Sequence, residues 1–295
     1  MTTEFDFREK PAGFDQGFYD MTFEQYATIS ALNSSKLKHF RKTPAHFYSA
    51  MTEPAPPMSA QKARSLAMGK AFDLYVLEGG LSAIHRKMAI ESADANRRTK
   101  EYKEWVAGQN GKTIIAPDLL TSAVRMASCA QAKQRFSDLF GAGRPHLSMI
   151  WQCRETGLWC KGEIDWLTDD GVLVDLKSTA DCGFWFFNRT ARRLGYVNQL
   201  AHYLDGLTTI TGAVHRKAKL AAVETAPPFE SIVYNVPESI IFEAEDENSE
   251  RKAQLLRCLE TNTWPGYPDL EMDLDSGIFD DLNYEEMEDG DDERF

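Results

Sequence analysis

The chain changes its hydrophobic pattern near residue 145, and the two parts predict different secondary structure. In residues 61–78 apolar side chains recur every three to four positions, which is the period of a helix with one buried face. Similar patterns predict helices from about residue 22 and in residues 95–107 and 117–140, whereas residues 1–20 are expected to be loosely ordered. The first part is therefore predicted to be mainly helical.

After residue 145 the chain carries short runs of branched and aromatic residues, which are typical of β-strands. Two turn sequences, ETG at 155–157 and TDDG at 168–171, separate the first three runs and predict consecutive hairpins. A long amphipathic segment at 183–207 is predicted to be mostly helical, and Pro237 can begin a closing helix to about residue 260. The order of elements predicts a mixed α/β domain with a short central sheet flanked by helices. The predicted strands are residues 146–153, 158–166, 172–177, 219–223 and 231–236.

Charge is unevenly distributed along the chain. The net charge is −12, but the acidic excess lies in residues 269–295, where Arg294 is the one basic residue. We therefore predict a domain at 1–268 and an acidic tail at 269–295, whose composition is typical of a disordered extension. The tail could also dock on a basic partner or fold over a DNA channel, and its apolar and aromatic residues favour docking over pure solubilisation. Because the rest of the chain is neutral, its composition does not argue against nucleic-acid binding.

Several classes of protein are not indicated. No apolar run approaches the roughly 18 to 20 residues that span a membrane, and the first ten residues lack the apolar core of a secretory signal. We therefore expect a cytoplasmic protein with no membrane contact. The five cysteines are scattered without a CxxC pair, which argues against a disulfide framework, a structural zinc or an iron–sulfur cluster.

A group of polar residues between positions 160 and 205 is spaced for metal-assisted hydrolysis. Asp175 and Lys177 are two positions apart in a predicted strand, so both side chains leave the same face of the sheet. The preceding turn allows Asp165 to lie next to Asp175. Gln199 and Tyr203 are four apart on a predicted helix and share one face.

Carboxylates on adjacent strands provide the hard oxygen ligands that Mg²⁺ prefers, and the backbone carbonyl of Leu176 could supply one more. A bound metal ion lowers the pKa of a water molecule and neutralises charge on a scissile phosphate. Lys177 would orient the attacking water or help to deprotonate it, and would stabilise charge in the transition state. The residues alone therefore favour phosphodiester hydrolysis.

Three motifs carry a resemblance to a known family: GEID at 162–165, VDLK at 174–177 and QLAHY at 199–203. Together they resemble the signature of RecB-type nucleases of the PD-(D/E)xK superfamily, and within it the RecE-like, exodeoxyribonuclease VIII branch of phage type. The resemblance extends upstream to residues 29–47 and 66–78. It implies the PD-(D/E)xK fold with a short mixed central sheet flanked by helices. It also implies the catalytic set Asp165, Asp175, Lys177, Gln199 and Tyr203.

The resemblance further implies a Mg²⁺-dependent exodeoxyribonuclease, with Mn²⁺ as the alternative metal. Its substrate would be linear double-stranded DNA, resected in the 5′–3′ direction for recombination by a homo-oligomeric ring. Separately from the resemblance, a single-strand annealing protein is a candidate for the basic partner on which the acidic tail could dock. Two alternatives stay open: an endonuclease or structure-specific nuclease on the same fold, and a catalytically weak protein that binds DNA or a partner.

One residue departs from the family pattern. The family places a histidine metal ligand on the early helix, where this chain has Asp73. An aspartate is a good Mg²⁺ ligand, so the metal set would be Asp73, Asp165, Asp175 and the Leu176 carbonyl; the change could equally mark altered metal preference or lost activity. Glu78, about one and a half turns further on, is the alternative acidic ligand. The six histidines match no ligand position and are expected to be ordinary polar or partly buried residues.

Basic side chains in two segments are candidates for contact with the DNA backbone, which Lys and Arg commonly bind. The stronger patch precedes the Gln199–Tyr203 face in the same segment, and the second lies near the N-terminus. The aromatic run at 184–187 is expected to pack in the core, with a wedge at the duplex end as an alternative role. The candidate DNA-binding residues are Arg189, Arg192, Arg193, Lys36 and Lys38.

Overall fold

The computed structural model describes residues 5–271 of the 295-residue chain. Most of the predicted acidic tail, from residue 272 onward, lies outside the described residues. Within residues 5–271, no helix is both long enough and apolar enough to cross a membrane.

Two sheets and a set of helices make up the described chain. The strands are β1 (Gly17–Tyr19), β2 (Met88–Ile90), β3 (Thr113–Ile115), β4 (Gly143–Gln152), β5 (Trp159–Thr168), β6 (Leu173–Thr179), β7 (Ala218–Glu224) and β8 (Ser231–Val236). The helices are α1 (Phe23–Thr28), α2 (Ser34–Lys38), α3 (Pro44–Thr52), α4 (Ala60–Leu77), α5 (Leu81–Lys87), α6 (Lys100–Ala107), α7 (Pro117–Gln131), α8 (Gln134–Leu139), α9 (Phe184–Leu194), α10 (Tyr196–Thr211) and α11 (Glu238–Thr261).

The larger sheet has six strands in the order β1-β4-β5-β6-β7-β8. Strands β6 and β7 are parallel, and the other neighbours are antiparallel. Strands β2 and β3 form a separate parallel pair. All seven residues of β6 are buried, as expected for a strand with neighbours on both sides and helices on both faces. The predicted α/β fold, with a short mixed central sheet flanked by helices, is confirmed.

The core forms one layer on each face of the sheet. On one face, α10 packs against β4 and β5 and is itself contacted by α9 and α11, with Trp151 and Leu204 fully buried in this layer. On the other face, α4 and α7 cover β6 and β7, with Phe72 and Val174 fully buried. The strand that carries Asp175 and Lys177 is therefore enclosed by helices on both sides.

The prediction of a loosely ordered N-terminus is wrong for part of residues 1–20. Strand β1 pairs with β4 at the edge of the sheet. Phe7 is fully buried, and its carbonyl accepts the backbone N–H of Trp159 at 2.7 Å. The ring of Phe7 packs edge-on against that of Phe47. The partners that order this segment are distant in sequence, so its local pattern does not reveal them.

The long helix predicted at 183–207 consists of two helices that meet at Gly195. Gly195 has φ +75°, a left-handed conformation that ends α9 and lets the chain begin α10 in a new direction. The guanidinium of Arg41 lies against this junction and donates hydrogen bonds to the carbonyls of Arg192 and Arg193, at 3.0 and 2.7 Å. A Cβ on residue 195 would lie 3.1 Å from Arg41 Nη1, so glycine fits both the backbone and the space.

Candidate active site

The site lies where strands β5 and β6 stop pairing. The two strands pair next to their connecting turn, where Trp166 is opposite Val174 and Leu167 is opposite Leu173. At the following position the Asp165 carboxylate accepts the backbone N–H of Leu176 at 2.8 Å. A side chain thus replaces a ladder hydrogen bond, and it fixes the Asp165 carboxylate beside β6.

Asp175 and Lys177 lie on the same face of β6, as their spacing predicts. The Lys177 ammonium is 2.8 Å from Asp175 Oδ2, and the two residues are only 2% and 4% exposed. Lys177 Nζ also donates to Gln199 Oε1 at 3.0 Å and lies 4.6 Å from the ring centroid of Tyr196. A carboxylate, an amide oxygen and an aromatic face therefore hold one buried ammonium in place.

Tyr203 supports this arrangement from the next turn of α10. Gln199 Nε2 donates a hydrogen bond to Tyr203 Oη at 2.9 Å, which fixes the amide so that its oxygen faces Lys177. Burial, together with the negative charges of Asp175 and Asp165, raises the pKa of the Tyr203 hydroxyl well above its usual range. The phenol therefore stays protonated and acts as a neutral support.

A second cluster beside the site consists of a histidine from β4 and three carboxylates, from α4, its C-cap and β5. His146 Nε2 lies 3.5 Å from Asp73 Oδ2 and 3.2 Å from Glu78 Oε1, and its Nδ1 lies 3.5 Å from Glu163 Oε1. Burial alone would lower the pKa of His146, but contacts with Glu163 and Glu78 and the charges of Asp73 and Asp165 raise it to about 11.

The same contacts act on Glu78. Its hydrogen bond with His146 is the largest influence and outweighs burial, and Lys87 adds a 2.7 Å ion pair. The pKa of Glu78 is thereby lowered to about 2. Both acidic candidates on the early helix, Asp73 and the alternative Glu78, therefore face the same imidazole.

The structure places His146, which was expected to be an ordinary polar or partly buried residue, against the carboxylates of Asp73, Glu78 and Glu163. His146 lies in β4 at the level of Asp165, because Pro145 is opposite Trp166 and Leu147 is opposite Ile164. Its φ of +44° is in the left-handed region, which is uncommon for a residue other than glycine. Neither the register nor this backbone conformation is visible in the local sequence around residue 146.

Comparison with known proteins identifies the family of this chain. Residues 33–271 match the model of a family described as a PDDEXK-like domain of unknown function (DUF3799). The chain belongs to this family. The resemblance to PD-(D/E)xK nucleases that the sequence motifs suggested is thereby confirmed. No curated protein sequence shows a significant match to the chain.

Two of the solved structures that match the chain are described as exonucleases. The fold is similar to that of a candidate exonuclease from Eubacterium rectale, with a TM-score of 0.59 and 16% identity, covering 89% of this chain and 98% of that one. An alkaline exonuclease from Laribacter hongkongensis also matches, with a TM-score of 0.28 and 14% identity over 69% of this chain and 96% of that one. At 16% identity, the similarity to the Eubacterium rectale protein concerns the fold alone.

The oxygen-rich side chains of the site suit a hard divalent cation. The Asp73, Asp165 and Asp175 carboxylates and the Leu176 carbonyl are the donor types that Mg²⁺ and Mn²⁺ accept. In residues 5–271, however, no three His, Cys, Asp or Glu side chains already surround a common metal position. The Lys177 ammonium lies 2.8 Å from Asp175 Oδ2 and offsets the negative charge of that carboxylate. The donor types therefore fit a metal ion. The carboxylate side chains would have to rotate to surround it.

Candidate DNA-contacting residues differ in their accessibility. Arg189, Arg192 and Arg193 are exposed on α9, and the C-terminal end of this helix lines a cavity shared with Lys177. Lys38 lines the same cavity. Lys36 instead faces inward: its ammonium donates to the Ala31 carbonyl at 3.2 Å and lies 5.0 Å from the ring centroid of Phe7. Lys36 is therefore poorly placed for a phosphate, contrary to the prediction.

The aromatic run at the start of α9 is divided between core and surface. Phe187 is 1% exposed and stacks on Tyr234, as predicted for a core residue. Phe184 and Trp185, by contrast, are 58% and 84% exposed. Trp185, Arg189 and Arg192 are spaced i, i+4 and i+7, so they share the outer face of the helix. This face combines an aromatic ring with two positive charges.

Proposed function

We propose that the protein is a metal-dependent deoxyribonuclease that degrades linear double-stranded DNA as an exonuclease, with Mg²⁺ as its metal. The observation that carries the proposal is the buried Lys177, held by Asp175 and Gln199 at the point where β5 and β6 separate. Lysines are almost never fully buried unless they are paired, and the partner of Lys177 is a carboxylate of the candidate site. Its position beside two aspartates suits hydrolysis of a phosphodiester.

Each residue has a distinct role in this proposal. A divalent ion bound by Asp165, Asp175 and the Leu176 carbonyl would supply an activated water and neutralise phosphate charge. Lys177 orients the attacking water and stabilises the negative charge that develops on the phosphate oxygens. Gln199 and Tyr203 keep the ammonium directed at the reacting atoms, since the hydrogen bonds run from Lys177 to Gln199 and from Gln199 to Tyr203.

Helix α9 provides the surface for the DNA strand in this proposal. Its C-terminal end borders the cavity beside Lys177, and Trp185 lies nine residues before Leu194. At 1.5 Å per residue this is about 13 Å along the helix. Arg189 and Arg192 between them can contact phosphates, while the exposed indole of Trp185 can stack on a base. The strand would thus run along α9 towards the metal-binding carboxylates.

Cleavage assays with a matched lysine control test the proposal. Linear duplex DNA and closed circular DNA are incubated with wild type, Lys177→Ala and Lys219→Ala, each with Mg²⁺ or with EDTA. Lys219 lies on the neighbouring strand β7, opposite Val174 rather than Asp175. We expect wild type and Lys219→Ala to degrade linear DNA only with Mg²⁺. Lys177→Ala should be slower by about 100-fold or more, the usual effect of losing a group that stabilises transition-state charge.

The remaining outcomes separate the alternatives. Cutting of closed circles identifies an endonuclease or structure-specific nuclease. DNA binding by wild type and Lys177→Ala without any cleavage supports the catalytically weak binding protein and rejects the nuclease. Cleavage that survives Lys177→Ala, in a variant with the wild-type melting temperature, rejects the assigned role of the lysine.

The resemblance also supplies the finer parts of the proposal. We infer from it 5′–3′ resection by a homo-oligomer, and we propose from the acidic tail that the partner is a single-strand annealing protein. DNA labelled at either 5′ or 3′ ends tests the direction, since release of mononucleotides from the labelled 5′ end is expected at once. Native mass spectrometry of the full chain tests the assembly, and a monomer at the concentration used for the assay would reject it.

A further inference from the structure

His146 combines three features, and it has no role in the proposed reaction. It lies on β4, away from the three motifs, yet both ring nitrogens contact carboxylates of the site. Its side chain is 24% exposed, so the ring lies at the edge of the site and is not buried in the core. Its backbone is held in the left-handed region at φ +44°.

The spacing of the ring and its acidic neighbours suits two ligands of one ion. Ligands about 2.1 Å from an octahedral metal ion and adjacent to one another stand roughly 3 Å apart. His146 Nε2 lies 3.5 Å from Asp73 Oδ2 and 3.2 Å from Glu78 Oε1. A cation could therefore be shared by the imidazole and a helix carboxylate, after release of the Nε2 proton to solvent and only small side-chain movements.

The other ring nitrogen has the partner that metal-bound histidines commonly have. His146 Nδ1 lies 3.5 Å from Glu163 Oε1, on the strand that also carries Asp165. A carboxylate in this position orients the ring and makes the opposite nitrogen a better ligand. Left-handed backbone at a residue other than glycine costs energy and is concentrated at functional sites. Both observations point to a ring that is held for a purpose.

We propose that His146 Nε2 is a ligand of the catalytic metal ion and that Glu163 is its positioning residue. The imidazole on β4 then supplies the nitrogen ligand that position 73 on α4 does not. The inference rests on the proposed function, because it assumes that a metal ion binds between α4 and the sheet. Because imidazole suits transition metals better than Mg²⁺, the site should bind Mn²⁺ more tightly than an all-oxygen site would.

Spectroscopy of the Mn²⁺-loaded full chain, without DNA, tests the proposal independently of cleavage. Electron spin-echo envelope modulation detects coupling between Mn²⁺ and a directly bound ¹⁴N. We expect this coupling in wild type and its loss in His146→Asn, which keeps a polar side chain that tolerates positive φ. The control is His85→Ala, an exposed histidine on α5, which should retain the coupling.

Mn²⁺ titration gives the expected change in affinity. Loss of the orienting carboxylate commonly weakens metal binding by about 10- to 100-fold, so Glu163→Gln should weaken Mn²⁺ binding by at least about tenfold while keeping the nitrogen coupling. His146→Asn should weaken it at least as much. A double variant, Asp73→His with His146→Asp, moves the nitrogen to α4 and should regain both the coupling and most of the affinity.

Three outcomes overturn the proposal: no nitrogen coupling in wild type, coupling that persists in folded His146→Asn, or unchanged Mn²⁺ affinity in that variant. Thermal unfolding shows whether each variant is folded, and the double variant provides a second test if the single one is not. The experiments also distinguish failure of the nuclease proposal from failure of the histidine proposal. Coupling that depends on His146 without any DNA cleavage rejects the nuclease, whereas cleavage without coupling rejects only the histidine ligand.

Discussion

Gly162→Ala should disturb the active site through a residue that touches no substrate. Gly162 lies on β5 beneath the ring of Tyr203. A Cβ at this position would lie 2.7 Å from Tyr203 Cδ1 and 2.8 Å from Cε1. Non-bonded carbon atoms prefer a separation of about 3.5–4.0 Å, so the ring would have to move by roughly 1 Å. Tyr203 is only 7% exposed and packs within the core, which leaves little room for that movement.

The size of the effect follows from the contacts of Tyr203. Overpacking of this kind costs about 1–3 kcal/mol of stability. The displaced phenol also loosens Gln199, whose amide bonds both Tyr203 and Lys177. A misplacement of about 1 Å in a catalytic group can lower the rate 100-fold. Gly162→Ala should therefore lose both stability and cleavage rate.

Gly69→Ala provides the matched control with the opposite expected sign. A Cβ on this glycine of α4 would lie 3.5 Å from Ser178 Oγ, an ordinary contact. Alanine is favoured over glycine inside a helix by up to about 1 kcal/mol. Thermal unfolding should show a melting temperature several degrees lower for Gly162→Ala and an unchanged or higher one for Gly69→Ala. Equal shifts, or full cleavage by a destabilised Gly162→Ala, would refute the argument.

Two further predictions concern a buried ion pair and the surface of α9. Asp205→Ala leaves the Lys252 ammonium, 4% exposed and 2.7 Å from Asp205, without its partner and should cost about 3 kcal/mol in denaturant unfolding; Asp205→Ala with Lys252→Met should recover part of this. Burial alone would raise the pKa of Asp205, but Lys252 holds it below its usual value, so the pair stabilises the fold above about pH 4 and this contribution is lost as the pH falls through the folded pKa. Trp185→Ala should weaken binding of a single-stranded oligonucleotide by about 5- to 100-fold and abolish most of the tryptophan quenching, whereas Phe242→Ala, a 45% exposed aromatic on α11, should leave both unchanged. Equal binding by both variants would exclude stacking on Trp185.

The elements that depend on local pattern could be predicted from the sequence. Each of the five predicted strands overlaps an observed strand, because runs of branched and aromatic residues and the turns at 155–157 and 168–171 are local signals. The proximity of Asp175 and Lys177 follows from two residues in one strand. Their partner Gln199 could be placed only through the family motif, since no local rule brings α10 to β6.

Features that depend on contacts between distant segments could not be predicted. Strand β1 exists because β4 offers an edge for pairing and Phe47 a surface for Phe7. At the break in the helix at 183–207, Arg41 binds carbonyls at the end of α9 from 151 and 152 residues earlier in the chain. Glycine at position 195 permitted the break, but a glycine inside a helical pattern is also tolerated without one.

The position of His146 shows why a motif can locate an active site and still give an incomplete ligand set. A motif specifies residue types at fixed positions in the sequence. Comparison with the motif therefore shows that position 73 is not histidine, but it does not show whether another segment supplies one. Metal binding, however, depends on which donor atoms lie within reach of the ion. His146 of β4 lies against Asp73 of α4 and against Glu163. A nitrogen donor can therefore enter from β4 as well as from α4, provided that the backbone turns the ring inward, as it does here at φ +44°. It follows that Asp73 by itself is no reason to expect an inactive site, because the chemistry absent from one element is present on its neighbour.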